Sequence, residues 1–442
     1  MNIVLLNLPV HIATVMPYSL AKMRSVLISR LDENISALDL NAKYHRHFFP
    51  DLYSEKASGF FPSLDKFMKD TRAAYPKISK ACLNGEFPEG HDFLMYKILG
   101  LVPDIVAISF IYNSQAFFSK GIIAELEKKG IKVIIGGPGD FSKVYGDAKV
   151  LPDYDSLSEY LWKNGAKKRF EIKAPVLDFS IFPKEDYFTK EIVYPLRTSL
   201  SCPYKLCSFC THHGNLPYEQ LSLAEVKEAI VKNKMKKIFF TDDDFPAERL
   251  KELAWMLKPL DVKWWCQLRP LKKIIPLLPL LKESGLISIA WGLESGSQRI
   301  LDMIQKGTRI NDIEDVLAAS HKLGIRNMVY VMFGLPGETE ETCLETMEFL
   351  KKNKSVIYLV SPTVFGLQQG SRIYSEPERF GVKKIILTER TFLSDKVEYE
   401  PIAGMTQEDA QDFKYRHIRE IRKLNKMPDV IVLCKEQVLN WD

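Results

Sequence analysis

The chain lacks any apolar run near the roughly 18 to 20 uninterrupted residues that a membrane span requires. Its most apolar stretch, LKKIIPLLPLLKESGLISIAWGL, is broken by Lys, Pro and Glu. Charge of one sign is also nearly absent as a surplus. The 61 basic and 56 acidic residues leave a net charge of +5, and no block of like charge is long enough for a nucleic-acid arm. Tracts such as Lys232, Lys234, Lys236 and Lys237 read as solvated helix ends. The N-terminal MNIVLLNLPV has neither a basic leader nor a small-residue cleavage site, so it reads as a buried strand and not as a secretory signal. These absences predict a cytoplasmic protein that engages neither nucleic acid nor membrane. Cysteine is sparse: there are seven, and only Cys202, Cys207 and Cys210 cluster. In a reducing compartment such a cluster argues for metal binding, whereas Cys82, Cys266, Cys343 and Cys434 read as inert core thiols.

What is present is the balance of a globular protein, with 46% hydrophobic and 26% charged residues. At 442 residues the chain exceeds one ordinary core and predicts two domains with a shorter tail. Residues 1–165 alternate apolar runs (IVLLNL, ISALDL, DIVAISFI, KVIIGG) with helical patterns, which predicts an α/β domain with a doubly wound, Rossmann-like parallel sheet. Residues 42–98 have no clean period and read as a helical insertion. Pro175, Pro183 and scattered charges mark 166–192 as an extended linker. A second series over 193–385 carries six apolar runs, IVYPLRTSLS, KKIFFTD, VKWWCQL, LISIAWGLE, NMVYVMFGLPG and VIYLVSPTVF, at a spacing that fits a partial (β/α)6 barrel. In such barrels chemistry gathers at the C-terminal strand ends. Residues 386–442 form a C-terminal region without a recognisable motif, expected to close the barrel mouth or shape substrate choice.

The three clustered cysteines follow the first strand of the second series, in SLSCPYKLCSFCTHHG. Thiolates so spaced can wrap one soft metal centre, and three without a fourth leave one iron of a cubane open. A zinc site completed by His212 or His213, stabilising a binding module without catalysis, is the alternative.

This loop resembles that of the radical S-adenosylmethionine (SAM) superfamily. The usual spacing there is C-x3-C-x2-C; here it is C-x4-C-x2-C, with Phe209 before the last cysteine retained. The resemblance implies a [4Fe-4S] cluster on Cys202, Cys207 and Cys210 whose open iron chelates SAM. Further segments are similar to the same family in order. In FFTDDDF, Asp242 and Asp244 stand where an acidic strand end lies near the SAM amino group, and helix capping is the competing role. In WCQLRP, Gln267 and Arg269 are candidates, Arg269 for the SAM carboxylate or for an ordinary ion pair. WGLESGSQRILDMIQKG places Glu294 where a carboxylate takes the ribose hydroxyls. FGLPGETEET places Gly334 and Pro336 beside the nucleoside. Trp265, Trp291 and Tyr330 are candidates for the cavity wall, with core packing as the competing role.

The first domain resembles the cobalamin-binding domain that precedes the barrel in a large radical SAM subfamily. PDIVAISFIYNSQ and KVIIGGPGD carry that likeness, and Ser109, Tyr112, Asn113, Ser114, Gly136, Gly137 and Gly139 are the implied contacts. The Asp-x-His-x-x-Gly motif that supplies a cobalt-binding histidine elsewhere is absent. VLDFSIFPKEDYFTKEIVYPLRTS and FGLQQGSRIYSEPERFG are similar to members acting on peptides or proteins. The resemblance implies C-methylation of an unactivated carbon in a peptide or protein. One SAM would supply the methyl group by way of cobalamin, and a second would yield a 5′-deoxyadenosyl radical, with flavodoxin or ferredoxin as reductant. A cobalamin-dependent radical rearrangement, cyclisation or oxidation is the alternative with the same cofactors.

Overall fold

The computed structural model describes residues 1–54, 59–139, 142–169, 176–211 and 216–441. The chain divides into two compact units: Met1–Ile192 with Glu228–Lys234 and Glu389–Asp395, and Val193–Lys227 with Met235–Thr388 and Lys396–Asp442. The described residues 166–169 and 176–192 cluster with the first unit. Among the described residues no helix is long and apolar enough to cross a membrane.

The first unit is built on five parallel strands, β1 (Asn2–Asn7), β2 (Asn34–Asp39), β3 (Ile105–Ser109), β4 (Lys132–Gly136) and β5 (Lys149–Val150), in the order β2-β1-β3-β4-β5. Their near-continuous apolar sequence suits burial on both faces. Val4, Leu6, Val106, Ile108, Val133 and Ile135 join one cluster with Ile78, Leu94, Ile98, Phe118 and Ile122, so this face is covered by helices Phe60–Leu83, His91–Leu99 and Ala116–Lys128. The alternate residues, such as Ile3 and Leu5, point the other way, where helices Tyr18–Arg30 and Tyr154–Lys163 pack. The helical insertion thus serves as one coat of a doubly wound sheet. Strand order reverses between β1 and β3, and their following loops open the crevice where such sheets take ligands.

The second unit carries six parallel strands that pair strictly in sequence: β6 (Tyr194–Leu196), β7 (Lys237–Phe240), β8 (Lys263–Leu268), β9 (Leu286–Glu294), β10 (Arg326–Phe333) and β11 (Ile357–Val364). No pairing joins β6 to β11 among the described residues, so the barrel is open. Side-chain partners fix which face is which. Trp264 Nε1 donates to Ser284 O, Trp291 Nε1 donates to Asn327 Oδ1, and Phe333 packs on Phe413, all on the outer, helix-covered face. Alternation then turns Phe239, Trp265, Gln267, Gly292, Tyr330 and Ser361 inward, consistent with the registers Trp265↔Phe239, Gly292↔Tyr330 and Tyr330↔Ser361. Trp291 is therefore core, while Trp265 and Tyr330 line the interior.

The C-terminal region forms an antiparallel hairpin, β12 (Val382–Thr388) and β13 (Lys396–Pro401), then a helix, Gln407–Leu424, opened by a Thr406–Asp409 capping box. Its last residues do not lie at the mouth. Lys237 Nζ donates to Asn440 Oδ1 (2.8 Å) and Arg326 Nη1 to Trp441 O (2.6 Å), and these cations open β7 and β10. Two cations at the strand starts thus take acceptors from the end of the tail, whereas its earlier part lies at the opposite strand ends, where Tyr399 OH donates to Gly334 O, Met405 N to Glu338 O and Gln407 Nε2 to Phe365 O.

Candidate functional site

The cysteine loop is tied down at both ends. At its start the Asp242 carboxylate accepts hydrogen bonds from Thr198 N (3.0 and 3.1 Å), Thr198 Oγ1 (2.9 Å) and Ser199 Oγ (2.6 Å). Burial raises the Asp242 pKa, against the pull of those donors. Asp242 thus clamps the loop to the end of β7. On the far side Ser208 N donates to Ile304 O (2.9 Å), Ile373 N to Ser208 O (3.0 Å) and Tyr204 OH to Gln305 O (3.0 Å). Gly307 makes this possible, since a Cβ there would stand 2.2 Å from the Tyr204 hydroxyl. Between these anchors Ser201 (φ 62°) and Lys205 (φ 57°) take left-handed backbone, and Cys210 N closes a turn onto Cys207 O (3.2 Å).

All three cysteines are free thiols and partly exposed. Burial pushes the Cys207 thiol up to about 11, with the nearby Lys306 ammonium opposing it. Among the described residues no three His, Cys, Asp or Glu side chains converge as ligands of a single ion. A cubane takes one thiolate per iron, so its ligands stand further apart than those of one ion, and three thiols on one anchored loop fit it. His212 and His213, the fourth ligands of the zinc alternative, lie outside the described residues.

Glu294 closes β9 beside this loop. The register with β10 slips between Gly292 and Glu294, a bulge that re-aims the last side chain, and Glu294 adopts φ 65°. Left-handed backbone at a bulky non-glycine residue costs about 1 to 3 kcal/mol and gathers at functional sites. Its buried carboxylate accepts from Lys306 Nζ at 2.6 Å through one oxygen, and the other has no partner among the described residues. Burial works against the Lys306 ammonium, but Glu294 and the Cys207 sulfur outweigh it and raise its pKa. A Cβ on Gly292 would lie 2.7 Å from both Glu294 Oε1 and Lys306 Nζ, so glycine is required under the pair. Lys306 also stands 5.6 Å from the Phe209 ring centre. It stood unremarked within the motif that pointed to Glu294; the signal available was a lysine that closes a short helix-and-turn segment twelve residues on.

Asp244 and Arg269 face each other: Arg269 Nε donates to Asp244 Oδ2 (2.8 Å), Arg269 N to Oδ1 (3.2 Å), and the guanidinium lies 3.5 Å over the Tyr204 ring. Gln267 points into the barrel without a side-chain partner among the described residues. Gly334 and Pro336 are enclosed, and a Cβ on Gly334 would meet Ala410 Cβ at 2.5 Å. That turn is held by Glu338, missed in the sequence, whose Oε2 accepts from Gly334 N (2.6 Å) and Leu335 N (3.2 Å). Burial pushes Glu338 up to about 7.

In the first unit the loops at the switch point are also largely self-satisfied. Ser109 Oγ donates to Ser19 Oγ (2.8 Å), Ser114 Oγ to Val10 O (2.5 Å) and Asn113 Nδ2 to Ser394 Oγ (3.2 Å). Tyr112 is exposed, and its ring centre lies 4.6 Å from that of His11 with the planes tilted by 35°. A Cβ on Gly136 would press on Leu151 O (3.0 Å), on Gly137 on Phe110 O (2.2 Å), and on Gly139 on Phe110 Cδ1 (2.5 Å). Beneath lies a polar network the sequence did not announce. Gln115 Nε2 donates to Asn7 Oδ1 (3.1 Å) and Leu8 O (3.0 Å), Asn7 Nδ2 to Asp39 Oδ1 (2.8 Å), and Tyr187 OH to Asp39 Oδ2 (2.7 Å). Burial raises Asp39 to about 6 and lowers His11, beside Asn7, to about 3.

Comparison with known proteins follows from this geometry. Residues 196–350 match the Radical SAM superfamily. An uncharacterized methyltransferase of Pyrococcus horikoshii is 26% identical over 194 residues, covering 40% of this chain and 41% of that relative, so the chain spans about two fifths of its length. Two solved structures share the fold along most of the chain. TsrM of Kitasatospora setae, a radical SAM methyltransferase with tryptophan substrate and a SAM analogue bound, aligns with TM-score 0.65 and 14% identity over 99% of this chain and 96% of its own. OxsB, a cobalamin-dependent SAM radical enzyme with aqua-cobalamin and SAM bound, aligns with TM-score 0.66 and 14% identity over 95% of this chain and 66% of its own.

Proposed function

We propose, from the premise that this chain is a radical SAM protein with the fold of the cobalamin-dependent members, that it is a C-methyltransferase acting on an unactivated carbon of a peptide or protein in the cytoplasm. The observation that carries the reading is the Glu294 carboxylate, aimed by a bulge and a left-handed φ of 65° beside the anchored cysteine loop. Cys202, Cys207 and Cys210 would hold a [4Fe-4S] cluster, and the two Glu294 oxygens would accept the ribose hydroxyls of SAM. Tyr112, Asn113 and Ser114, with the turn at Gly136, Gly137 and Gly139, would border a cobalamin at the switch point of the first sheet. When bound, these groups supply the radical and the methyl chemistry, and the chain's part is positioning and exclusion of solvent. Lys306 balances negative charge between the cysteine loop and Glu294. Asp242 and Gln115 hold the two cofactor-facing loops in shape.

The test is anaerobic reconstitution of the full chain with iron, sulfide and cobalamin, reduction by flavodoxin or ferredoxin, and product counting with candidate peptides. A gain of one methyl group with release of S-adenosylhomocysteine and 5′-deoxyadenosine together is the expected outcome. Deoxyadenosine without S-adenosylhomocysteine would instead support radical rearrangement, cyclisation or oxidation. That second reading draws on OxsB, described as a radical enzyme and not as a methyltransferase. A colourless zinc protein would overturn both.

A further inference from the structure

The inner wall of the barrel presents hydrogen-bond donors that have no acceptor among the described residues. Trp265 is buried, turned inward and stacked 5.7 Å from Phe239, and its Nε1–H has no partner among the described residues. Tyr330 also faces inward and is partly exposed there, and its hydroxyl has no partner among the described residues. The third donor comes from the tail. Lys435 is half-buried, and its ammonium lies 4.9 Å from the centre of the Tyr330 ring. It has no hydrogen bond or ion pair among the described residues. Its neighbours in the tail are otherwise engaged, Gln437 Nε2 with Glu436 Oε1 (3.1 Å) and Asn440 Nδ2 with Gln437 Oε1 (2.9 Å).

Such an arrangement is costly. The ring contact returns about 0.5 to 2 kcal/mol, whereas a largely buried ammonium forfeits several kcal/mol of hydration unless an anion meets it. Burial accordingly lowers the Lys435 pKa, and the charge of the adjacent Glu436, which already accepts from Gln437, offsets only part of that. A lysine needed only to seal the barrel floor would sit at the strand starts, as the partners of Asn440 and Trp441 do; Lys435 reaches past them to the ring at mid-barrel.

We infer that Lys435, with Tyr330, forms a receptor for an anionic group, carboxylate or phosphate, at the inner end of the substrate. This rests on reading the barrel as the substrate chamber of the proposed enzyme, and it makes Lys435 a specificity-determining residue. A neutral substrate would leave the ammonium unanswered.

The experiment is trace acylation of the anaerobically reconstituted full chain, with the rate at Lys435 followed by peptide mass spectrometry. Propionate and inorganic phosphate are titrated in, with propionamide as the neutral control and exposed Lys236 as the internal reference. One anion should slow acylation of Lys435 about threefold at twice its dissociation constant, leaving Lys236 and the propionamide arm unchanged. Whichever of the two protects at lower concentration identifies the class. The protecting anion should also raise the Tm of the wild type but not of Lys435→Met; if that variant fails to fold, the labelling alone decides. No protection by either anion, equal protection by propionamide, or protection only by added SAM would overturn the inference. Brown absorbance and SAM cleavage are read on the same sample. An enzyme active by those measures whose Lys435 ignores both anions defeats this inference alone, and a sample with no cluster defeats the functional reading alone.

Discussion

Removing the Lys306 ammonium should destabilise the barrel in a pH-dependent way whose size follows from the ion pair itself. Lys306 and Glu294 are 5% and 7% exposed, their nearest atoms 2.6 Å apart. Breaking a buried pair by deleting one partner costs about 3 to 5 kcal/mol, because the other charge is stranded. In Lys306→Met the stranded carboxylate escapes by taking a proton, which caps the loss. For an ordinary glutamate with a pKa of about 4.3, protonation costs about 3.7 kcal/mol at pH 7 and about 1 kcal/mol at pH 5. The variant should therefore be about 3 to 4 kcal/mol less stable than wild type at pH 7 and only about 1 kcal/mol less stable at pH 5. The double variant Lys306→Met with Glu294→Gln should recover most of the loss at pH 7, since neither partner is then charged. Urea unfolding followed by tryptophan fluorescence measures this in the right unit, because Trp255, Trp264, Trp265, Trp291 and Trp441 all belong to it. A loss equal at both pH values, or below about 1 kcal/mol at pH 7, would mean that water reaches the pair and that the desolvation argument is wrong.

Three further outcomes are expected. Glu338, raised by burial from 4.5 to about 7, binds its proton more tightly folded than unfolded. Its stabilisation is full below pH 4.5 and is lost as pH rises through 7, on the order of 3 kcal/mol; Glu338→Gln should flatten the wild-type decline in urea stability across that window. Asp242→Ala strands the Thr198 N–H and the Thr198 and Ser199 hydroxyls, costing about 2 to 4 kcal/mol, and should lower iron bound per chain after reconstitution, whereas Cys266→Ser, outside the cluster loop, should not. Gly292→Ala forces a Cβ to within 2.7 Å of both ends of the ion pair and should cost about 1 to 3 kcal/mol as overpacking; in the Lys306→Met background the cost should shrink, because one of the two clashes is gone.

The parts of this molecule that are local in sequence were legible in it. Every apolar run assigned as a strand is one, because uninterrupted Val, Ile and Leu flanked by helical spacing has few other uses in a parallel sheet. The two-residue β5 escaped because Lys149–Val150 carries no pattern of its own and pairs only through the β4 edge. The cysteine loop stood out by its spacing, and Glu294 only through the resemblance of its motif. Their supports did not: Lys306 meets Glu294 only after a bulge and a left-handed residue fold the strand end back. The role of the last residues was not legible for the same reason, since nothing in VIVLCKEQVLNW says that Lys237 and Arg326, at the starts of β7 and β10, need acceptors from it.

Glycine and acidic residues at strand ends invite a ligand reading, and the structure shows why that signal is ambiguous. Gly137 and Gly139 are already required by Phe110, Gly334 by Ala410, and Asp242 by the backbone of its own loop. A chain that bound nothing would need the same residues there, so their presence does not discriminate. Unspent bonding capacity that faces the barrel interior discriminates better, because a ligand there can answer it. Within the barrel interior the groups left with such capacity among the described residues are the second oxygen of Glu294, the amide of Gln267, the indole N–H of Trp265 and the ammonium of Lys435. Three of those groups can donate a hydrogen bond and the Glu294 oxygen can accept one. A ligand set that satisfies them must offer a hydroxyl at the rim and an acceptor, best an anionic one, further in.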